Sequence, residues 1–123
     1  MSANRLKIFK NNKGSLFSFQ KKYLSSIKRI FFIKGSKGAK RGNHAHLKAS
    51  QLFINIDSKV FVEIIHKNKK KIIFLSKAGE YFYCPPLSWV KLIFKKKGNL
   101  AVISNRIYEK KDYINNYNKF LKL

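Results

Sequence analysis

Acidic residues are scarce in this sequence: five Asp and Glu stand against 28 Lys and Arg, a net charge of +23. Cys84 is the single cysteine. It excludes an internal disulfide or a thiolate metal cluster and suits a reducing compartment. The two prolines, Pro85 and Pro86, sit side by side and mark a bend or the start of a strand, because neither can donate to a ladder. No run approaches the roughly 18 apolar residues of a membrane span. The opening "MSANRLKIFKNNKG" lacks the apolar segment of a secretory signal. These absences lead to the expectation of a soluble cytoplasmic protein with no membrane partner.

What is present argues for a folded chain. Apolar residues make up 45% of the sequence and aromatics 15%, well above what a disordered segment carries. At 123 residues the length suits a single domain, 1–123, with one modest core. There is no internal repeat and no inter-domain linker. The positive field attracts polyanions, but Arg5, Arg29, Arg41 and Arg106 are the only arginines, so 24 of the 28 basic residues are lysine. Lysine reads base edges poorly beside the forked guanidinium, and the lysines are spread along the chain. Nucleic acid is therefore not the expected partner, whereas a nucleoside diphosphate is compatible with the field.

Apolar runs of strand length recur, each ended by Gly, Asn, Ser or Pro. "RLKIFK" precedes the turn "NNKG", and "SLFSFQ" follows it. "IKRIFFIKG" leads into the flexible "GSKGAKRG". "SQLFINID" and "KVFVEIIH" are separated by a tight turn at Asp57-Ser58. "KKKIIFLS" pairs back across "HKNK", and "SWVKLIF" and "LAVIS" flank "KKKGN". Only the tail shows helical spacing, at Tyr113, Tyr117 and Phe120. Short strands with turns every eight to twelve residues predict an all-β sandwich or barrel with a short C-terminal helix.

The segment "KRGNHAHLKASQ", residues 40–51, holds two of the three histidines. In an extended chain His44 and His46 share one face and Ala45 takes the other. Gly42 permits a bulge or a close ligand approach, and Arg41 adds a fixed cation. Two imidazoles at this spacing can share a metal, but no carboxylate follows in residues 47–51. The third histidine, His66, falls in a predicted hairpin turn, and position 90 is valine, so no metal site is expected. Acid–base catalysis needs no third ligand: one imidazole removes a proton alpha to a carbonyl and its neighbour assists the return. Two histidines on an exposed strand is the plain structural alternative.

"RGNHAH", the preceding "IKRIFFI", Gln51, "PPLSW" and the closing "YEKKDYINNYNKFLKL" together resemble the WxcM-like cupins. The likeness is to the dTDP-4-oxo-6-deoxyglucose 3,4-ketoisomerases in particular, over about residues 13–123. It implies a small jelly-roll cupin, a homodimer with exchanged strands, and an isomerase working without metal or other cofactor on a dTDP-linked 4-keto-6-deoxy sugar. In the family's pattern His44 is the base and His46 assists. Arg29 and Arg41 are expected to meet the diphosphate and developing charge, and Gln51 a sugar hydroxyl. Lys13 and Trp89 complete the expected substrate-binding set. The 3-keto product would feed 3-amino sugars of surface polysaccharide. The chain departs from the pattern at Val90 and Lys91, where a histidine and an acid are usual. It also departs at Lys13 (arginine), Phe32 (tyrosine) and Arg106 (aspartate). The rival readings are a cupin that binds nucleotide sugars without turnover, a sugar-nucleotide epimerase of the same fold, and a basic nucleic-acid-binding barrel.

Overall fold

Alternating apolar residues along short segments force two-faced strands, and the computed structural model, which describes residues 4–19 and 26–123, is built almost entirely from them. The strands are β1 (Asn4–Arg5), β2 (Lys7–Asn11), β3 (Gly14–Ser18), β4 (Arg29–Gly35), β5 (Lys40–His46) and β6 (Gln51–Asn55). They continue with β7 (Lys59–His66), β8 (Lys69–Leu75), β9 (Glu80–Cys84), β10 (Ser88–Lys96), β11 (Gly98–Ser104) and β12 (Tyr113–Ile114). A 3-10 turn at Lys110–Asp112 precedes β12, and α1 (Tyr117–Leu121) closes the chain.

Two five-stranded antiparallel sheets, ordered β1-β9-β6-β11-β4 and β12-β5-β10-β7-β8, pack face to face in the jelly-roll manner of a cupin, and β2-β3 forms a separate hairpin. Val60, Val62, Leu92, Phe94, Leu100 and Val102 face the interior and are almost fully buried. Phe53 and Phe82 stack between neighbouring strands with centroids 4.6 Å apart. Each such aromatic contributes about 2–3 kcal/mol by leaving water.

Most expected turns are present. "NNKG" closes β2 to β3, and Lys67-Asn68, both left-handed, closes β7 to β8. Of the run expected at 15–20, Gln20 lies outside the described residues. Two expectations are corrected. Asp57-Ser58 does not close a hairpin: β6 and β7 belong to opposite sheets. The Asn55 side chain ties that crossing together, bonding the Ser58 carbonyl and amide. Tyr113 is not helical either. It pairs with His46 as part of β12, and the helix begins only at Tyr117, where the Asn116 side chain caps the Lys119 amide.

Candidate active site

The interior-facing residues change character at one end of the sandwich. Ser104 pairs with Arg29 on one side and Gln51 on the other, and Gln51 pairs with Cys84. On the facing sheet Ser88 pairs with His66. One rung deeper the same strands carry Phe31, Val102, Phe53 and Phe82, then Val90 and Ile64. A polar rung thus caps the apolar core. Beside it lies a cavity of about 250 Å³ whose lining includes Arg29, Arg41, His44, His46, Gln51 and Tyr113.

The histidines reach this space because of a bulge. The register between β5 and β10 shifts at Val90/Lys91, opposite Gly42. Gly42 and Asn43 take left-handed conformations (φ 78° and 65°), and a Cβ on Gly42 would lie 2.8 Å from the Val90 carbonyl oxygen, so glycine is required there. The Asn43 side-chain oxygen accepts from Trp89 Nε1 at 3.1 Å. Beyond the bulge, His44 and His46 project to one side, with ring centroids 5.3 Å apart, and Ala45 is fully buried on the other with Trp89, Ile114 and Phe120.

Asp112 sets the state of His46. Its carboxylate accepts from His46 Nδ1 at 2.9 Å and from the Lys48 and Ala49 amides. The His46 Nε2 is left buried without a protein partner. Burial holds the His46 pKa below the usual histidine value; Asp112 opposes this and the Arg29 charge adds to it. Burial, then the neighbouring His46, lowers His44, against a hydrogen bond to the Gly42 backbone. Burial works to raise the Asp112 carboxyl, but its hydrogen bonds with His46, Lys48 and Ala49 outweigh that and hold it low. Both imidazoles are therefore neutral near pH 7. Tyr113 covers them, 4.3 Å from the His46 ring and 5.1 Å from His44. The Arg29 guanidinium rests on Phe31 and Tyr108 at 4.3 and 5.2 Å.

Five of the seven residues expected from sequence, His44, His46, Arg29, Arg41 and Gln51, line this one cavity. Two do not. Lys13 sits in the exposed β2–β3 turn, its amide bonded to the Asn11 side chain. Trp89 packs on the opposite face of the sheet, where alternation along β10 puts it, against Ala45 and with Nε1 donating to Asn43. Among the described residues no three His, Cys, Asp or Glu side chains group as metal ligands. Sequence reasoning gave Asp112 no role. Its signal was scarcity: it is one of only five acids in a chain with 28 basic residues.

The family model for FdtA, WxcM-like, C-terminal, matches residues 1–123, the whole chain. The protein belongs to the WxcM-like family. None of the curated proteins matches it by sequence. Among solved structures, this WxcM-like chain is similar to QdtA, a sugar 3,4-ketoisomerase from Thermoanaerobacterium thermosaccharolyticum in complex with TDP. The identity is 28% and the TM-score 0.85, over 96% of this chain and 89% of that one. A mutant of QdtA in complex with TDP-4-keto-6-deoxyglucose matches at 27% identity and TM-score 0.85, covering 96% and 88%. WlaRA, a TDP-fucose-3,4-ketoisomerase from Campylobacter jejuni, matches at 28% identity and TM-score 0.83, covering 96% and 90%.

Proposed function

We propose that this protein is a nucleotide-sugar 3,4-ketoisomerase that converts a TDP-linked 4-keto-6-deoxyhexose to its 3-keto isomer. The observation that carries this reading is the pair of neutral imidazoles in one cavity, one of them oriented by a buried carboxylate, in a family whose solved relatives catalyse that reaction.

With Nδ1–H donating to Asp112, His46 is fixed in one tautomer beside the more exposed His44. His44 takes the C3 proton of the 4-keto sugar. The C3–H electron pair forms the C3=C4 double bond, and O4 accepts a proton. Collapse of this enediol returns a proton to C4 while O3 gives up its own and becomes the ketone. His44 is the base and His46 its assistant, as expected from sequence, because His44 is the more exposed of the two in the cavity while His46 Nε2 is buried. A base of this kind is worth roughly 10²–10⁴ in rate. Arg29, held by its aromatic neighbours, meets the negative charge that develops on the sugar oxygens. Arg41 meets the diphosphate and Gln51 a sugar hydroxyl, a reading supported by their place in the cavity lining.

The reading extends to a homodimer acting in the cytoplasm, with 1–123 as one catalytic domain. β4 ends its sheet order, and Ile30 and Phe32 on it are exposed. The separate β2–β3 hairpin also exposes Phe9, Leu16 and Phe17. An open edge and an apolar hairpin suit strand exchange between two copies. The unpaired Cys84 suits a reducing compartment, and no helix among the described residues is long and apolar enough to cross a membrane. The 3-keto product is a substrate for amination towards the 3-amino sugars of surface polysaccharides.

Proton NMR of TDP-4-keto-6-deoxyglucose with the protein in D₂O tests the central claim. Loss of the C3 proton with growth of 3-keto signals is the expected result. A bound nucleotide without exchange would overturn the reading in favour of a binding protein.

A further inference from the structure

One buried pair in the polar rung is left unused by the mechanism above. Ser88 is 2% exposed and lines the cavity, and its Oγ lies 3.0 Å from His66 Nδ1. Cys84 is also on the cavity wall. Its thiol points at the Pro85 carbonyl at 3.7 Å, and burial pushes its pKa up to about 12, so it stays a neutral thiol. His66 reaches the other way. It borders a second cleft, of about 170 Å³, formed with Lys67, Asn68, Leu87, Phe120, Leu121 and Leu123. Ser88 and His66 are thus a shared wall, with the hydroxyl on the catalytic side.

A buried hydroxyl is costly unless paired. Apolar residues occupy the equivalent inward positions further along β10, Val90, Leu92 and Phe94. A serine braced by an imidazole is a built polar feature in an otherwise apolar row. A hydroxyl offers one donor and two acceptor sites, and His66 engages one of them. Whichever proton state His66 Nδ1 has, Ser88 keeps hydrogen-bonding capacity for the cavity.

Resting on the ketoisomerase reading, we propose that Ser88 hydrogen-bonds the sugar ring of the substrate, beside the histidine pair on the same sheet, and that His66 is a positioning residue that fixes the Ser88 rotamer. The contact is to the sugar and not to the nucleotide, because Ser88 lines the same cavity as His44 and His46.

The experiment measures steady-state turnover of TDP-4-keto-6-deoxyglucose and calorimetric affinity for TDP in five proteins: wild type, Ser88→Ala, Ser88→Thr, His66→Leu and His66→Asn. Ser88→Ala and His66→Leu are expected to lose about tenfold in kcat/KM, the scale of one hydrogen bond, with TDP affinity unchanged. Asn can place a polar atom where Nδ1 stood, so His66→Asn should recover most of the loss, as should Ser88→Thr, which restores the hydroxyl. Wild-type kcat/KM in Ser88→Ala would overturn the proposal. So would a parallel fall in TDP affinity, or equal losses in His66→Leu and His66→Asn. An inactive wild type would instead overturn the ketoisomerase reading, and this inference with it.

Discussion

His46 Nδ1 and Asp112 Oδ2 meet at 2.9 Å although 66 residues separate them in the chain. The contact joins β5 to the 3-10 turn that leads into β12, which pairs with β5, Tyr113 to His46 and Ile114 to Ala45. A carboxylate in this position fixes the imidazole's tautomer and steadies the ring when it carries a proton.

Asp112→Asn is therefore expected to lower kcat by one to two orders of magnitude, about 1.4–2.8 kcal/mol. Asp112 raises the His46 pKa, so its removal lowers that pKa further, and the acid limb of the pH–rate profile moves to lower pH. The carboxylate also serves the Lys48 and Ala49 amides, so the variant should lose about 1–3 kcal/mol of stability in denaturant titration. An acid limb displaced upward would contradict the assigned contact.

The two histidines should differ in kind. His44→Asn is expected to remove more than 99% of turnover, and His46→Asn to leave a measurable fraction. Neither should alter TDP affinity more than a few-fold, because a base acts in the transition state. If His46→Asn alone abolishes exchange at C3 in D₂O, the base is His46 and the roles are reversed.

Both imidazoles have pKa values pushed below 6.5. A depressed histidine pKa favours the neutral folded form. Its contribution to stability is whole above pH 6.5 and is lost as pH falls through the lower folded-state value. Activity should follow the same direction, full at pH 7 and falling on an acid limb whose midpoint lies below 6.5. A midpoint above 6.5 in the wild-type kcat/KM profile would count against the buried pair as the titrating groups.

Gly42→Ala tests the bulge. The side chain would be strained at φ 78° and would strike the Val90 carbonyl. About 1–3 kcal/mol of stability should be lost, and turnover should fall with it because His44 lies two residues on. An unchanged melting temperature would mean that the bulge yields easily.

The proposed dimer predicts about twice the chain mass in sedimentation velocity. Phe9→Asp combined with Leu16→Asp, on the hairpin's exposed face, should shift the species toward monomer. A monomeric wild type would remove the reason for those exposed apolar side chains.

Much of the fold could be read from alternation, because an inward and an outward face must differ in polarity. The same rule put His44 and His46 on one side and Ala45 on the other. It could not say which strands share a sheet. Asp57-Ser58 reads as a hairpin turn, and only packing turns it into a crossing between sheets. Periodicity also misplaced Tyr113, whose spacing to Tyr117 looks helical while its pairing with His46 makes it a strand residue. Asp112 was beyond local reading, since its partner lies in another segment. Trp89, expected in the substrate-binding set from the resemblance, is put by strand alternation on the other face of β10, buried with Ala45 and donating to Asn43.

The polar rung has a consequence for how such a site can diverge. Each strand lends it one residue at its end, and the layer beneath is closed by Phe53, Phe82 and Val102 without help from those residues. Single replacements in the rung can therefore change the shape and polarity offered to a sugar one hydroxyl at a time, while the load of holding the sheets together stays elsewhere. A lineage could move between substrates by small steps, each one a folded protein.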